Sequence, residues 1–111
     1  MKEGIGLNFS GKVIKNRDFS TCFLVRANFR KTDLVQVIFN HADLRFADFR
    51  GSFIGYADFS NADLRGAALD GVYLKYAIIQ DANLIGAWYD KFTDFPEGFD
   101  PKKPGCFAQI S

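Results

Sequence analysis

Every fifth residue from Phe9 to Tyr89 is large and apolar, and the series has no break. An α-helix turns by about 100° per residue, so a step of five residues would scatter these side chains around the helix. In a flat strand, odd steps place successive side chains on opposite faces. Neither element collects the series on one side, whereas a chain that bends once in every five residues does. The spacing therefore predicts an all-β solenoid in which each five-residue segment turns one side chain inward.

Five-residue units that begin with alanine, followed by Asp or Asn and then Leu or Phe, recur along the chain. They read ADLRF at 42–46, ADFRG at 47–51, ADFSN at 57–61, ADLRG at 62–66 and ANLIG at 82–86. Over about residues 7–91 the chain resembles the pentapeptide-repeat family, whose consensus is A-(D/N)-L-x-x. The resemblance implies a right-handed quadrilateral β-helix with four units per coil, and therefore about four coils in a chain of this length.

With four units per coil, residues twenty apart stack, so columns of Phe should alternate with columns of Leu and Ile around the interior. The small residue that lies two positions before most of these side chains should fill a corner, whereas Lys12 and Arg17 of the first coil depart from this rule. The predicted core is Phe19, Leu24, Phe29, Leu34, Phe39, Leu44, Phe49, Ile54, Phe59, Leu64, Leu69, Leu74, Ile79 and Leu84.

The β-helix is predicted to follow a short lead-in over residues 1–6 and to end in a capping tail over residues 92–111, which is either irregular or helical. Four phenylalanines of this region, Phe92, Phe95, Phe99 and Phe107, are expected to cover the last coil. The three prolines of the tail are expected to prevent a further strand. The stretch FPEGFDP at 95–101 also resembles an ending common in cyanobacterial members of the family.

Composition narrows the classes of function. The 14 Lys and Arg against 13 Asp and Glu give a net charge of +1, which argues against a strongly basic nucleic-acid binder. Cys22 and Cys106 do not form a disulfide framework, and no apolar run is long enough for a transmembrane helix. A cytoplasmic location is therefore predicted. No catalytic constellation, zinc spacing or nucleotide-binding loop occurs, so the chain is predicted to be neither an enzyme nor a cofactor or metal binder.

Charged residues recur at fixed positions beside the core series. Asp or Asn precedes many core residues, where hydrogen bonds to the local backbone explain the pattern. Arg45 and Arg65 lie twenty residues apart and follow Asp43 and Asp63 at the same distance. This arrangement predicts a ladder of surface ion pairs. The alternative is that the arginine-bearing surface docks an acidic partner.

Four aromatic residues fall at outward positions of one face in neighbouring coils: Phe53, Tyr56, Tyr73 and Tyr76. Phe53 is expected to stack on Tyr73, and Tyr56 on Tyr76. Cross-strand aromatic pairs stabilise sheets by ~0.2–1 kcal/mol, so the four residues either strengthen the sheet or form a contact surface.

The leading hypothesis is a non-enzymatic repeat scaffold that binds an unidentified protein, or a second copy of the chain, through a rigid face. The family resemblance supplies an alternative, a DNA mimic that binds DNA gyrase or topoisomerase. The net charge of +1 and the short repeat region disfavour that alternative.

Overall fold

Parallel backbone bridges between residues twenty positions apart define the fold of the computed structural model, which describes residues 4–108. They begin at Asn8 with Asn28 and continue along the chain to Ala68 with Trp88. Each bridge is held by two hydrogen bonds: Phe9 N–H donates to the Asn28 carbonyl at 2.7 Å, and Asn28 N–H donates to the Leu7 carbonyl at 2.8 Å. Since twenty residues hold four five-residue segments, each coil is four-sided.

Each segment ends at a corner where the backbone takes the left-handed conformation. The φ angle lies between 53° and 74° at every fifth residue from Gly6 to Gly86, with Tyr76 as the one exception in that series. From the Gly11 turn onward a hydrogen bond closes each turn, for example from Ala47 N–H to the Leu44 carbonyl at 3.0 Å. A positive φ at the third residue is the mark of a type II turn, which explains why the chain direction changes once per segment.

Two columns of phenylalanine fill much of the interior. In one column, Phe29 stacks on Phe49 with ring centroids 5.1 Å apart; in the other, Phe39 stacks on Phe59 at the same distance. Rings of the two columns meet edge to face across the interior, as Phe39 and Phe49 do at 6.1 Å. The stacking predicted from the twenty-residue spacing is confirmed by these contacts, which use the geometry that aromatic pairs prefer.

Thirteen of the fourteen predicted core side chains are at most 5% exposed, and Ile79 is partly buried against the same cluster. Most of the alanines at the corners are equally enclosed; Ala27, Ala47, Ala57 and Ala67 have no exposed surface. Valine is accommodated at two of the equivalent positions, since Val37 and Val72 are also fully buried.

The tail continues the coil with an altered spacing. The bridge from Tyr73 to Asp94 spans 21 residues. Strand β1 (Trp88–Tyr89) pairs in parallel with strand β2 (Phe107–Ala108), and there Trp88 pairs with Phe107 across 19 residues. The prediction that the prolines would prevent a further strand is therefore wrong, because all three precede β2 and occupy the connecting turns. Of the two conformations left open for the tail, its described part adopts turns and contains no helix.

Side chains complete the bonds where the spacing changes. Gly71 N–H donates to the Asp90 carboxylate at 2.9 Å, and the Thr93 hydroxyl donates to the Leu69 carbonyl at 2.8 Å. Phe95 contacts both Tyr89 and Phe99, with centroids 5.6 and 4.9 Å away, and both tail phenylalanines pack against the core. The other two predicted capping rings do not cover it, since Phe92 is 68% exposed and Phe107 lies beside Trp88 at the surface.

Candidate protein-contact surface

The Asp and Asn residues that precede core side chains use their carboxylate or amide oxygen locally. In each of nine cases Oδ1 accepts a hydrogen bond, 2.9–3.3 Å long, from the backbone N–H two residues later. These residues are Asn8, Asp18, Asn28, Asp33, Asp43, Asp48, Asp58, Asp63 and Asn83. The structural role predicted for them is confirmed, because each of these oxygen atoms accepts a hydrogen bond within its own segment.

The arginines on one face form the predicted ladder. Arg45 donates from Nε and Nη2 to the two carboxylate oxygens of Asp43, both at 2.8 Å, and Arg65 makes the same two-point contact with Asp63 at 2.9 and 2.6 Å. Arg45 Nε also lies 3.9 Å from Asp63 in the next coil. Because these guanidinium groups are engaged by carboxylates within the chain, the surface is already neutralised where an acidic partner would have to bind.

Arginine contacts shift the pKa of the paired carboxyl groups. For Asp63, the hydrogen bond from the Arg65 side chain lowers the pKa below its ordinary value. Partial burial raises this pKa, but the hydrogen bond from the Arg65 backbone and the positive charge of Arg65 lower it further. For Asp48, burial raises the pKa, but the hydrogen bonds and charge of Arg50 together with the charge of Arg30 outweigh it, so the net pKa is lowered. Both carboxylates are therefore ionised near neutral pH.

The four predicted outward aromatic residues are exposed on one face, and we refer to them as the aromatic face. Phe53 is 67% exposed, Tyr56 60%, Tyr73 48% and Tyr76 50%. Tyr56 stacks on Tyr76 with centroids 5.5 Å apart and planes 15° apart, as predicted. Tyr73 meets Tyr76 edge to face at 6.2 Å. The three tyrosines thus form a continuous surface instead of isolated exposed residues.

The predicted stacking of Phe53 on Tyr73 is wrong. The Phe53 ring makes no aromatic contact within the described part of the chain. The backbone explains this, because the bridge expected between Phe53 and Tyr73 is missing from an otherwise regular series. Phe53 pairs instead with Asp33 below it, and Tyr73 pairs with Asp94 above it.

We call this interruption, between segments 51–56 and 71–76, the seam. One coil earlier, Leu34 N–H donates to the Phe53 carbonyl at 2.8 Å. Across the seam the corresponding bond from Ile54 to Tyr73 is not formed in the described backbone, nor is the bond from Tyr73 N–H to Ser52. Segment 71–76 is bonded to the tail instead, since Leu74 N–H donates to the Asp94 carbonyl at 2.6 Å. In the described backbone, Tyr73 is therefore bridged on its tail side only, where the spacing is 21 residues.

The two surfaces predicted from sequence lie on opposite sides of the prism. Leu44 is the core residue between Asp43 and Arg45, and Ile54, two segments later, is the core residue of the aromatic face. Two segments are half of a four-sided coil. The arginine ladder and the aromatic face therefore do not form one site.

One contact at a corner was not predicted from the sequence. The Phe46 ring lies against Gly66 of the next coil, so closely that a Cβ on Gly66 would be 2.5 Å from it, and the Arg26 guanidinium lies 4.9 Å from the centre of the same ring. The signal was present, because residues 26, 46 and 66 occupy one corner column, but the orientation of an exposed ring does not follow from spacing.

Neither cysteine nor any acidic cluster suggests a reactive centre. Cys22 is buried, Cys106 is half-buried, and both are free; burial raises the pKa of the Cys106 thiol. Within residues 4–108, no group of three or more His, Cys, Asp or Glu side chains is arranged to hold a metal ion. The same residues include no helix with the length and apolarity needed to cross a membrane.

Comparisons with known proteins agree with the repeat geometry. The family profile for pentapeptide repeats matches residues 18–54 and 56–87 with eight copies. Among curated proteins, none matches the chain in sequence.

Solved structures of pentapeptide repeat proteins are similar to this chain. A pentapeptide repeat protein from Nostoc is 33% identical with a TM-score of 0.64, over 84% of this chain and 85% of that one. A pentapeptide repeat protein of the Arabidopsis thaliana thylakoid lumen is 30% identical with a TM-score of 0.51, over 80% of this chain and 66% of that one. Rfr23 from the cyanobacterium Cyanothece, at 21% identity and a TM-score of 0.58 over 84% and 90% of the two chains, shares the fold.

Proposed function

The chain belongs to the pentapeptide repeat family, whose members form right-handed quadrilateral β-helices, and on that premise we propose that it is a non-enzymatic scaffold that binds another protein through the aromatic face. The observation that carries the proposal is the exposure of four aromatic side chains on one face and its adjoining corner, from Phe53 at 67% to Tyr73 at 48%. Aromatic residues are concentrated at the centres of protein interfaces. The scaffold comprises about four coils, of which the tail covers the C-terminal end.

Stabilisation of the sheet explains the presence of only some of the four aromatic residues. Tyr56 and Tyr76 stack across neighbouring coils and contribute to the sheet. Phe53 has no such ring partner in the described chain and lies beside a missing backbone bridge. Its exposure therefore adds little to folding, which supports a role outside the molecule.

Arg45 and Arg65 are secondary candidates for protein contact. Each guanidinium makes a two-point bond with an aspartate of its own segment. An acidic partner would have to displace those bonds, at a cost similar to what it gains. We therefore assign the contact role to the aromatic face and a local structural role to the arginines.

The proposed location is the cytoplasm, where the two free thiols of Cys22 and Cys106 would stay reduced. The DNA-mimic alternative receives no support from the surface, because the net charge is +1 and the acidic residues of the ladder are paired with arginine. A supercoiling assay with added protein tests that alternative directly.

The proposal is tested by affinity capture from the native host. The wild type is compared with Phe53→Ser/Tyr73→Ser and with a control, Ile5→Ser/Ile85→Ser, whose two residues are 68% and 60% exposed in the twenty-residue column of Arg45 and Arg65, opposite the aromatic face. A specific set of proteins should be retained by the wild type and the control and lost by the aromatic-face variant. Retention of the same set by all three proteins would remove the aromatic face from the contact surface.

A further inference from the structure

We propose that the aromatic face binds a second copy of this chain, with the two prisms packed face to face and antiparallel. The inference deepens the interaction role proposed above and rests on it.

The exposed area of the four rings matches the apolar part of an ordinary protein interface. Their exposed fractions together amount to a little over two complete aromatic side chains. At ~150–250 Å² per side chain this is roughly 340–560 Å². A standard interface covers about 800 Å² per partner, of which about 56–65% is apolar, or roughly 450–520 Å². The face is therefore large enough to be the apolar centre of an interface with a whole folded protein.

The two rows of the face complement each other under a two-fold rotation. The first row holds Phe53, Gly55 and Tyr56, and the second holds Tyr73, Lys75 and Tyr76 at the equivalent positions twenty residues later. The two-fold axis lies in the contact plane, perpendicular to the prism axis and between the two rows. It places the first row of one copy opposite the second row of the other copy. Lys75 then lies opposite Gly55, which has no side chain and leaves space for it.

The opposite orientation is disfavoured by charge. A two-fold axis along the prism that superposes the same four rings would bring Lys75 beside Lys75 of the second copy. Like charges in close contact destabilise an interface. In the antiparallel arrangement, Asp33 of one copy approaches Asp94 of the other copy. These like charges lie at the ends of the face, where solvent screens them. Added salt should therefore strengthen the association, because it weakens that repulsion and leaves the contact between rings intact.

The mass of the full chain in solution tests the inference. Analytical ultracentrifugation should show a monomer of 12.5 kDa in exchange with a dimer of twice that mass, and the dimer fraction should rise with salt. The variant Phe53→Ser/Tyr73→Ser should raise the dissociation constant by at least about 100-fold, as expected for the loss of two central aromatic contacts. The control Ile5→Ser/Ile85→Ser should leave it unchanged. Thermal melts of both variants establish that they remain folded.

Cross-linking tests the orientation. Two chains are prepared in a Cys106→Ser background, one with Gly55→Cys and the other with Lys75→Cys, so that only the buried Cys22 thiol remains native. A Cβ at position 55 would meet the nearest Val35 carbon at 3.9 Å, an ordinary contact. On mixing and oxidation, the disulfide between unlike chains should dominate. Predominance of the disulfide between two Lys75→Cys chains would overturn the antiparallel arrangement.

A monomer at all accessible concentrations, or a dimer that survives in the aromatic-face variant, would overturn self-association. These outcomes are separate from failure of the interaction role. If the wild type is monomeric and the aromatic-face variant alone loses its captured proteins, the second copy is excluded as the occupant while the scaffold role stands.

Discussion

The corner at Gly66 allows a quantitative test of how the coils pack on one another. Gly66 has a φ of +70°, and Gly71 has a φ of +71°, so alanine at either position is forced into the left-handed region. That conformation costs an ordinary residue ~1–2 kcal/mol. The two sites differ in their surroundings, since a Cβ on Gly71 meets nothing within 4 Å while a Cβ on Gly66 would overlap the Phe46 ring.

The additional cost of Gly66→Ala follows from the displacement of that ring. Phe46 is 51% exposed, so about half of its surface is covered; full burial of Phe stabilises by ~1.5–3 kcal/mol, and half of it by roughly 0.7–1.5 kcal/mol. The cation–π contact with Arg26 adds ~0.5–1 kcal/mol. We therefore expect Gly66→Ala to cost roughly 1–2.5 kcal/mol more than Gly71→Ala, a further decrease in Tm of about 4–10 °C at ~4 °C per kcal/mol.

Thermal melts and urea titrations followed by circular dichroism provide the two measurements. The comparison is repeated in a Phe46→Ala background, where Gly66→Ala should cost no more than Gly71→Ala does in the wild type. Equal destabilisation by the two glycine substitutions in the wild-type background would refute the reasoning, because it would mean that the Phe46 ring does not rest on the Gly66 corner.

Three other predictions concern the core, the ion pairs and the seam. Phe39→Ala should lower the free energy of unfolding by ~3–5 kcal/mol in urea titrations, since the ring is fully buried between stacked neighbours, and a loss below ~1 kcal/mol would contradict the packing. The lowered pKa of Asp63 means that its stabilising effect is complete above the ordinary Asp pKa of about 3.9 and is lost as pH falls through the lower folded-state value. Asp63→Asn should therefore have a lower urea midpoint than the wild type at roughly pH 7, with the difference shrinking as pH falls below about 3.9; a constant difference would exclude the effect. By hydrogen exchange, the amide of Ile54 should exchange faster than that of Leu34, which is bonded to Phe53, and equal protection would show that the seam is closed.

The sequence predicted the features that repeat and missed those that occur once. The burial of Leu44, the stacking of Phe39 on Phe59 and the local bond of Asp43 each follow from spacing, because one geometry is used in every coil. The change to spacings of 21 and 19 residues in the tail had no repeated signal. There, the Asp90 carboxylate takes the place of a backbone carbonyl as the acceptor for Gly71, and a single side chain gives no periodicity from which this could be inferred.

The sequence correctly predicted that the four residues of the aromatic face point outward, but it predicted only some of the contacts between their rings. Tyr56 and Tyr76 stack because both project from one corner column. Phe53 and Tyr73 were expected to behave alike, since they too are twenty residues apart. They do not: the bridge expected between their segments is not formed, and segment 71–76 is bonded to the tail on its other side. A rule that assumes regular pairing between neighbouring coils does not anticipate this interruption.

The distribution of contacts around the prism indicates which side is free to take part in function. The outward carboxylates and amides bond to the backbone of their own segments, and the arginines of the ladder bond to those carboxylates. Such side chains help each corner to form, so their substitution would affect folding as well as any contact with a partner. The ring of Phe53 contributes to neither the turns nor the ladder, yet it is large, apolar and two-thirds exposed. Exposure of that kind lowers solubility without stabilising the fold, and it is consistent with a surface that another molecule covers.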